Sequence, residues 1–253
     1  MSIFKFDGIW TLILLLLPFL FIQRQLHREI QSIFLLITRR SDISIALFSL
    51  VFFPGVLLHE GSHYFMAHLL GVKTGGFSLI PRPLDDGRVQ LGYVETVQTD
   101  FIRDALIGVA PFLSGGVTIG LVSFFQLQLQ TLLIAILRGD EGDIAVQLMD
   151  IYRKNDFWLW FYLLVTISST MLPSQSDRRA WLPVSLVMGG LFGAGLLAGA
   201  GPWMAHNLVE PLNTVFQAIS MVFAISLAVH LVLIVPFLFF RRFLEQLTRQ
   251  RIT

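Results

Sequence analysis

The sequence predicts an all-α polytopic membrane protein of about six transmembrane helices, with a small β-hairpin between the second and third spans. Three observations predict it. Hydrophobic residues make up 55% of the 253-residue chain and charged residues only 14%, where soluble domains average about 25% charged. Uncharged runs recur at lengths near the roughly 20 residues that cross a bilayer. One segment alone, 72–104, carries strand patterning around a proline-rich turn.

In chain order the spans fall at 8–22, 43–70, 105–125, 157–175, 180–200 and 213–240. The first lacks a strongly basic start and a small-residue cleavage site, so it reads as a retained helix and not a signal peptide. After it, 23–42 sets Arg24, Arg28, Arg39 and Arg40 around the apolar stretch Ile33 to Ile37, which suits an interfacial helix or, equally, a loop with snorkelling arginines. In the hairpin, Phe77 and Leu79, then Val89, Leu91, Tyr93 and Val94, flank the turn Pro81 to Gly87. An open sheet edge cannot face lipid, so the hairpin belongs at the interface or against the helices. The divisions that follow are 1–42, a core at 43–179, and further helices with a basic tail at 180–253.

Six spans place the N-terminus, 72–104, 176–179 and the C-terminal tail on one side. That side holds eleven of the 18 Lys and Arg residues, which makes it cytoplasmic by the positive-inside bias and points to a plasma (inner) membrane location. A net charge of +1 supplies no basic field for nucleic acid, and that partner is excluded. With no cysteine, any metal must be held by His and carboxylate.

The informative feature is His59-Glu60-Gly61-Ser62-His63, which follows sixteen uncharged residues within the second span. Positions four apart on a helix lie on one face about 6 Å apart, so His59 and His63 can share one zinc ion. Glu60 then stands beside the metal without ligating it, where a carboxylate acts as general base and acid. The bland reading of the same residues is a buried polar network or proton relay.

Beyond the histidines, Ala67 and Gly71-Val72 complete the pattern HExxHxxxAxxxGV; Phe77-Ser78, Gly92-Tyr93-Val94, and Ala110-Pro111 with Ser114 follow. Over 43–121 the chain resembles the site-2 protease family of intramembrane zinc metalloproteases. The resemblance implies a core in which the spans at Ile43, Ala105 and Phe157 surround zinc, with the first, fifth and sixth spans as additions. It implies His59 and His63 as ligands, Glu60 as the catalytic residue, and an Asp on a later helix as third ligand. The counterpart here is Asp177, and an oxygen donor suits a zinc that two histidines leave one ligand short of the usual three. Ser114 and Ser169 stand where the family has asparagines that position substrate, and Arg178-Arg179 replace its glycines after the Asp.

The partner so implied is a transmembrane helix of another protein that unwinds and adds as a strand beside the hairpin, since a helix hides its scissile amides in its own hydrogen bonds. An inactive relative acting as a membrane scaffold and a proton-coupled transporter are the rival readings. His68, His206 and His230 read as packed or interfacial, and Asp140, Glu141 and Asp143 as a solvated loop.

Overall fold

A chain in hydrocarbon must satisfy its own backbone, and 79% of this one is helical. The computed structural model describes residues 7–83, 89–97 and 99–250. The elements are α1 (Asp7–Thr38), α2 (Ser41–Val51), α3 (Phe53–Leu69), β1 (Thr74–Ser78), β2 (Arg82–Pro83), β3 (Val89–Gln90), β4 (Tyr93–Thr96), α4 (Phe101–Leu121), α5 (Leu129–Arg138), α6 (Glu141–Tyr152), α7 (Phe157–Thr170), α8 (Trp181–Leu197), α9 (Gly201–Asn207) and α10 (Val209–Thr248). A π-helical turn at Val122–Gln126 extends α4.

Three helices, α1, α4 with its extension, and α10, are long and apolar enough to cross a membrane; the bent pairs α2–α3 and α8–α9 raise the number to five. At 14 residues α7 is about 21 Å long, short of a hydrocarbon core of roughly 30 Å. Six spans are not confirmed, and helix direction bears on the number. Gly8 donates to the Asn213 side chain, Phe19 contacts Phe223, and Glu29 pairs with Arg241. α1 and α10 therefore run parallel, an arrangement that goes with an odd number of crossings where both helices span. The start of α1 and the end of α10 consequently lie at opposite ends of the bundle, where the sequence reading places them together.

Two further expectations change. The separate element at 23–42 is the second half of one continuous 32-residue helix. Gln23 and Glu29 are buried and partnered inside the protein, whereas Arg24 and Arg28 on the same helix are exposed. The span 43–70 breaks at Phe52, where α2 and α3 meet at 73°; Pro54 in the first turn of α3 has no N–H to continue the α2 ladder.

The hairpin is present. β1 pairs antiparallel with β4, Phe77 opposite Val94 and Ser78 opposite Tyr93, and β2 pairs with β3. Most of its expected turn, at 84–88, lies outside the described residues. Leu79 and Leu91 pack into a cluster with Ile30 and Phe34 of α1, Phe48 and Phe52, and Ile234 and Phe237 of α10. The hairpin thus sits at the C-terminal ends of α1 and α10. A second cluster joins α1, α4, α7 and α10 through Phe19, Ile119, Leu164, Ile167, Met171 and Phe223. At the far end of α4 the segment after the π-turn forms α5 and α6; of the expected acidic loop only Asp140 lies between them, capping α6 by accepting from the Asp143 amide at 3.0 Å, while Glu141 and Asp143 belong to that helix's first turn.

Candidate metal centre

The break at Phe52 decides the depth of the motif. In a continuous 43–70 helix His59 would lie about 24 Å from the start; counted from Phe53 it lies about 9 Å in. α7 stops at Thr170, and a non-helical turn carries Asp177 back to the histidines. Close approach of backbones makes this possible. A Cβ on Gly55 of α3 would stand 2.2 Å from the Thr166 carbonyl oxygen of α7, and one on Gly108 of α4 would stand 2.0 Å from the Asp177 carbonyl oxygen. No larger residue fits either contact.

The outcome is a convergence of three electron-pair donors. His59 Nε2 and His63 Nε2 are 3.2 Å apart; Asp177 Oδ1 is 3.3 Å from His63 Nε2 and Oδ2 is 3.7 Å from His59 Nε2. Among the described residues this is the one group of three or more His and acidic side chains able to hold a metal ion. Ligand atoms about 2.0–2.1 Å from a tetrahedral ion stand about 3.3 Å from one another. Two imidazoles and a carboxylate at these separations fit zinc in both donor chemistry and spacing.

The surroundings orient the donors. His63 Nδ1 lies 2.9 Å from the Ile107 carbonyl oxygen of α4; a carbonyl only accepts, so Nδ1 carries the proton and Nε2 keeps its lone pair for the group. Pro111, four residues on, has no N–H to give Ile107 its usual helical bond, which leaves that carbonyl to His63. His59 lacks such a second contact, its Nδ1 being buried without a hydrogen-bond partner among the described residues. Burial favours the neutral acid at Asp177, but hydrogen bonds from the side chains of His59, His63 and Ser174 outweigh it and hold the carboxyl well below the usual carboxylate range.

Glu60 is buried on the same helix and lines a cavity of about 950 Å³ shared with His59, His63 and Asp177. β4 and its lead-in Leu91-Gly92 form one wall, and the start of α4 and the α7–α8 connection form others. Gly92 lies directly over Glu60, for a Cβ there would be 2.9 Å from Glu60 Cγ.

Ser114 and Ser169 do different things. Ser114 bonds Ser62 of α3 at 2.5 Å and the Pro111 carbonyl. Ser169 lines the cavity with its hydroxyl turned to His230 Nε2 at 3.0 Å. His68 is exposed and bonds the Tyr64 carbonyl; neither it nor His206 joins the metal group. Residues the motifs did not single out, Gln23, Ser62, Gly55 and Gly108, bind the site's helices together. Gly55 and Gly108 show in the sequence as small residues within apolar runs, whereas Gln23 and Ser62 stand beside other polar residues and carry no such signal.

No protein-family model, curated protein or solved structure compared with the chain matches it.

Proposed function

We propose that the protein is an intramembrane zinc metalloendopeptidase that cuts peptide bonds in transmembrane segments of other membrane proteins. The observation that carries the reading is the meeting of His59, His63 and Asp177, 114 residues beyond His63 in the chain, at the spacing of a zinc ion's ligands, with Glu60 in the same cavity. Zinc, when bound, supplies a Lewis acid that polarises a carbonyl and lowers the pKa of water. The chain's own residues do the rest. Glu60 Oε takes a proton from the attacking water and delivers it to the leaving amide nitrogen. Peptide bonds hidden in a substrate helix become available when the segment unwinds, and the β4 wall offers backbone partners for the freed groups.

The end of the bundle holding the hairpin and Asp177 also gathers Arg28, Arg39, Arg40, Lys73, Arg103, Arg178, Arg179, Arg241 and Arg242, whereas Arg138, Arg153 and Lys154 lie toward the other. This supports a cytoplasmic-side active site in a plasma (inner) membrane.

The test is Glu60→Gln, which keeps shape and removes basicity. Purified protein should hold about one zinc per chain in both forms, with cleavage down by about 10²–10⁴-fold in the variant. Membrane proteomes of cells carrying each form identify the substrate as a helix that accumulates uncut in the variant. Metal lost from Glu60→Gln would make Glu60 a ligand, and cleavage near the wild-type rate would require another base. A second reading, a zinc-holding scaffold without turnover, draws support from the engaged hydroxyls of Ser114 and Ser169; it predicts identical proteomes with zinc retained.

A further inference from the structure

The turn that carries Asp177 starts from the last turn of α7, and that turn is held from outside the α3, α4 and α7 core. The last four carbonyls of a helix have no donor within it, and in a water-free interior each needs one. Ser169 receives its donor from α1, where Gln23 Nε2 lies 2.6 Å from the Ser169 carbonyl oxygen. Its hydroxyl meets α10. His230 Nδ1 is 2.7 Å from the Ser226 carbonyl oxygen, so Nδ1 carries the proton and Nε2 accepts from the Ser169 hydroxyl. The Phe19 ring of α1 meets the imidazole in a T-shaped contact, centroids 5.2 Å apart. Gln23, Ser169 and His230 are all buried, His230 completely. Ser169 faces the cavity, and the other two stand behind it.

We propose that Gln23 and His230 are positioning residues for the metal centre, fixing the depth and rotation of the α7 terminus and so the place where Asp177 meets His59 and His63. This gives α1 and α10, helices added to the three that surround the site, a part in building it. The proposal rests on the zinc reading of that group.

The experiment uses full-length protein in nanodiscs, with Gln23→Leu, His230→Leu, and His230→Gln, which returns an acceptor near Nε2. Zinc affinity is measured by competition with a chromophoric chelator. Both leucine variants should bind zinc about 10–100-fold more weakly than wild type, and His230→Gln should recover most of the loss. Amide hydrogen exchange on the metal-free proteins should show residues 171–177 exchanging about tenfold faster in the leucine variants, with α4 unchanged.

Should the leucine variants fail to fold, Ser169→Ala removes the shared hydroxyl alone and should weaken zinc about tenfold. Wild-type zinc affinity in all the folded variants, while wild type itself binds, overturns the proposal and leaves the zinc reading standing. Exchange that rises equally in α4 and α7 also overturns it, because the two residues would then serve general stability. A wild type that binds no zinc removes the zinc reading and the proposal together.

Discussion

α3 and α8 are both 17 residues long and strongly apolar, yet they meet opposite fates. α3 buries His63 against α4 and Glu60 beneath Gly92, whereas α8 buries no residue at all. Their glycines make the difference visible. Gly55 of α3 lies against the α7 backbone, while Gly189, Gly190 and Gly193 of α8 have nothing within 4 Å of where a Cβ would stand. Apolarity carries a helix into the bilayer without placing it; lipid is as apolar as any neighbouring side chain, so position comes from close packing and polar pairing.

The largest effect should come from filling the tightest contact. Gly108→Leu forces α4 and the Asp177 turn apart, and zinc stoichiometry should fall from about one per chain to near zero, measured by elemental analysis of purified protein. Retained stoichiometric zinc would mean that the turn relaxes freely and that Gly108 places nothing.

Next comes Gly55→Ala, which overpacks the α3–α7 contact and should cost about 1–3 kcal/mol in reversible unfolding in detergent. The matching changes in α8, Gly189→Ala and Gly193→Ala, should stay within about 0.5 kcal/mol of wild type. A loss at Gly193 as large as at Gly55 would break the comparison, revealing a partner that covers α8.

The smallest effect concerns the entry to α4. Asp100 caps this helix through the Arg103 and Ile102 amides. The Arg103 amide above all, then that of Ile102, holds its carboxyl below the ordinary carboxylate range. A depressed folded-state pKa stabilises above the unfolded value, and the contribution is lost as pH falls through the folded one. The melting difference between wild type and Asp100→Asn should therefore hold steady from about pH 7 to 5 and close below about pH 4. A gap that persists into acid would show that the cap does not act through its charge.

Much of the centre was legible because it is local. His59, Glu60 and His63 share one helix, and helical geometry alone puts the two imidazoles on one face. Asp177 was legible only through the need for a third donor and its counterpart in a known motif, since nothing in the spacing of residues so far apart reports their distance. Pro111 carried an unread signal: a missing N–H is visible in the sequence, but that the freed Ile107 carbonyl would serve His63 depends on how α3 crosses α4. His230 was legible as a packed histidine and illegible as a partner of Ser169.

The sequence by itself determined what the chain does with its own near neighbours: apolar runs long enough for lipid, a hairpin around a proline-rich turn, two imidazoles one helical turn apart. Tertiary structure alone decided that α1 continues through Gln23 and Glu29, that it runs parallel to α10, and that α2 and α3 part at Phe52. The reason is physical. A buried Gln or Glu in an apolar run can mark a membrane exit or a partnered interior position, and only the distant group that pairs with it, here Ser169 or Arg241, chooses between the two.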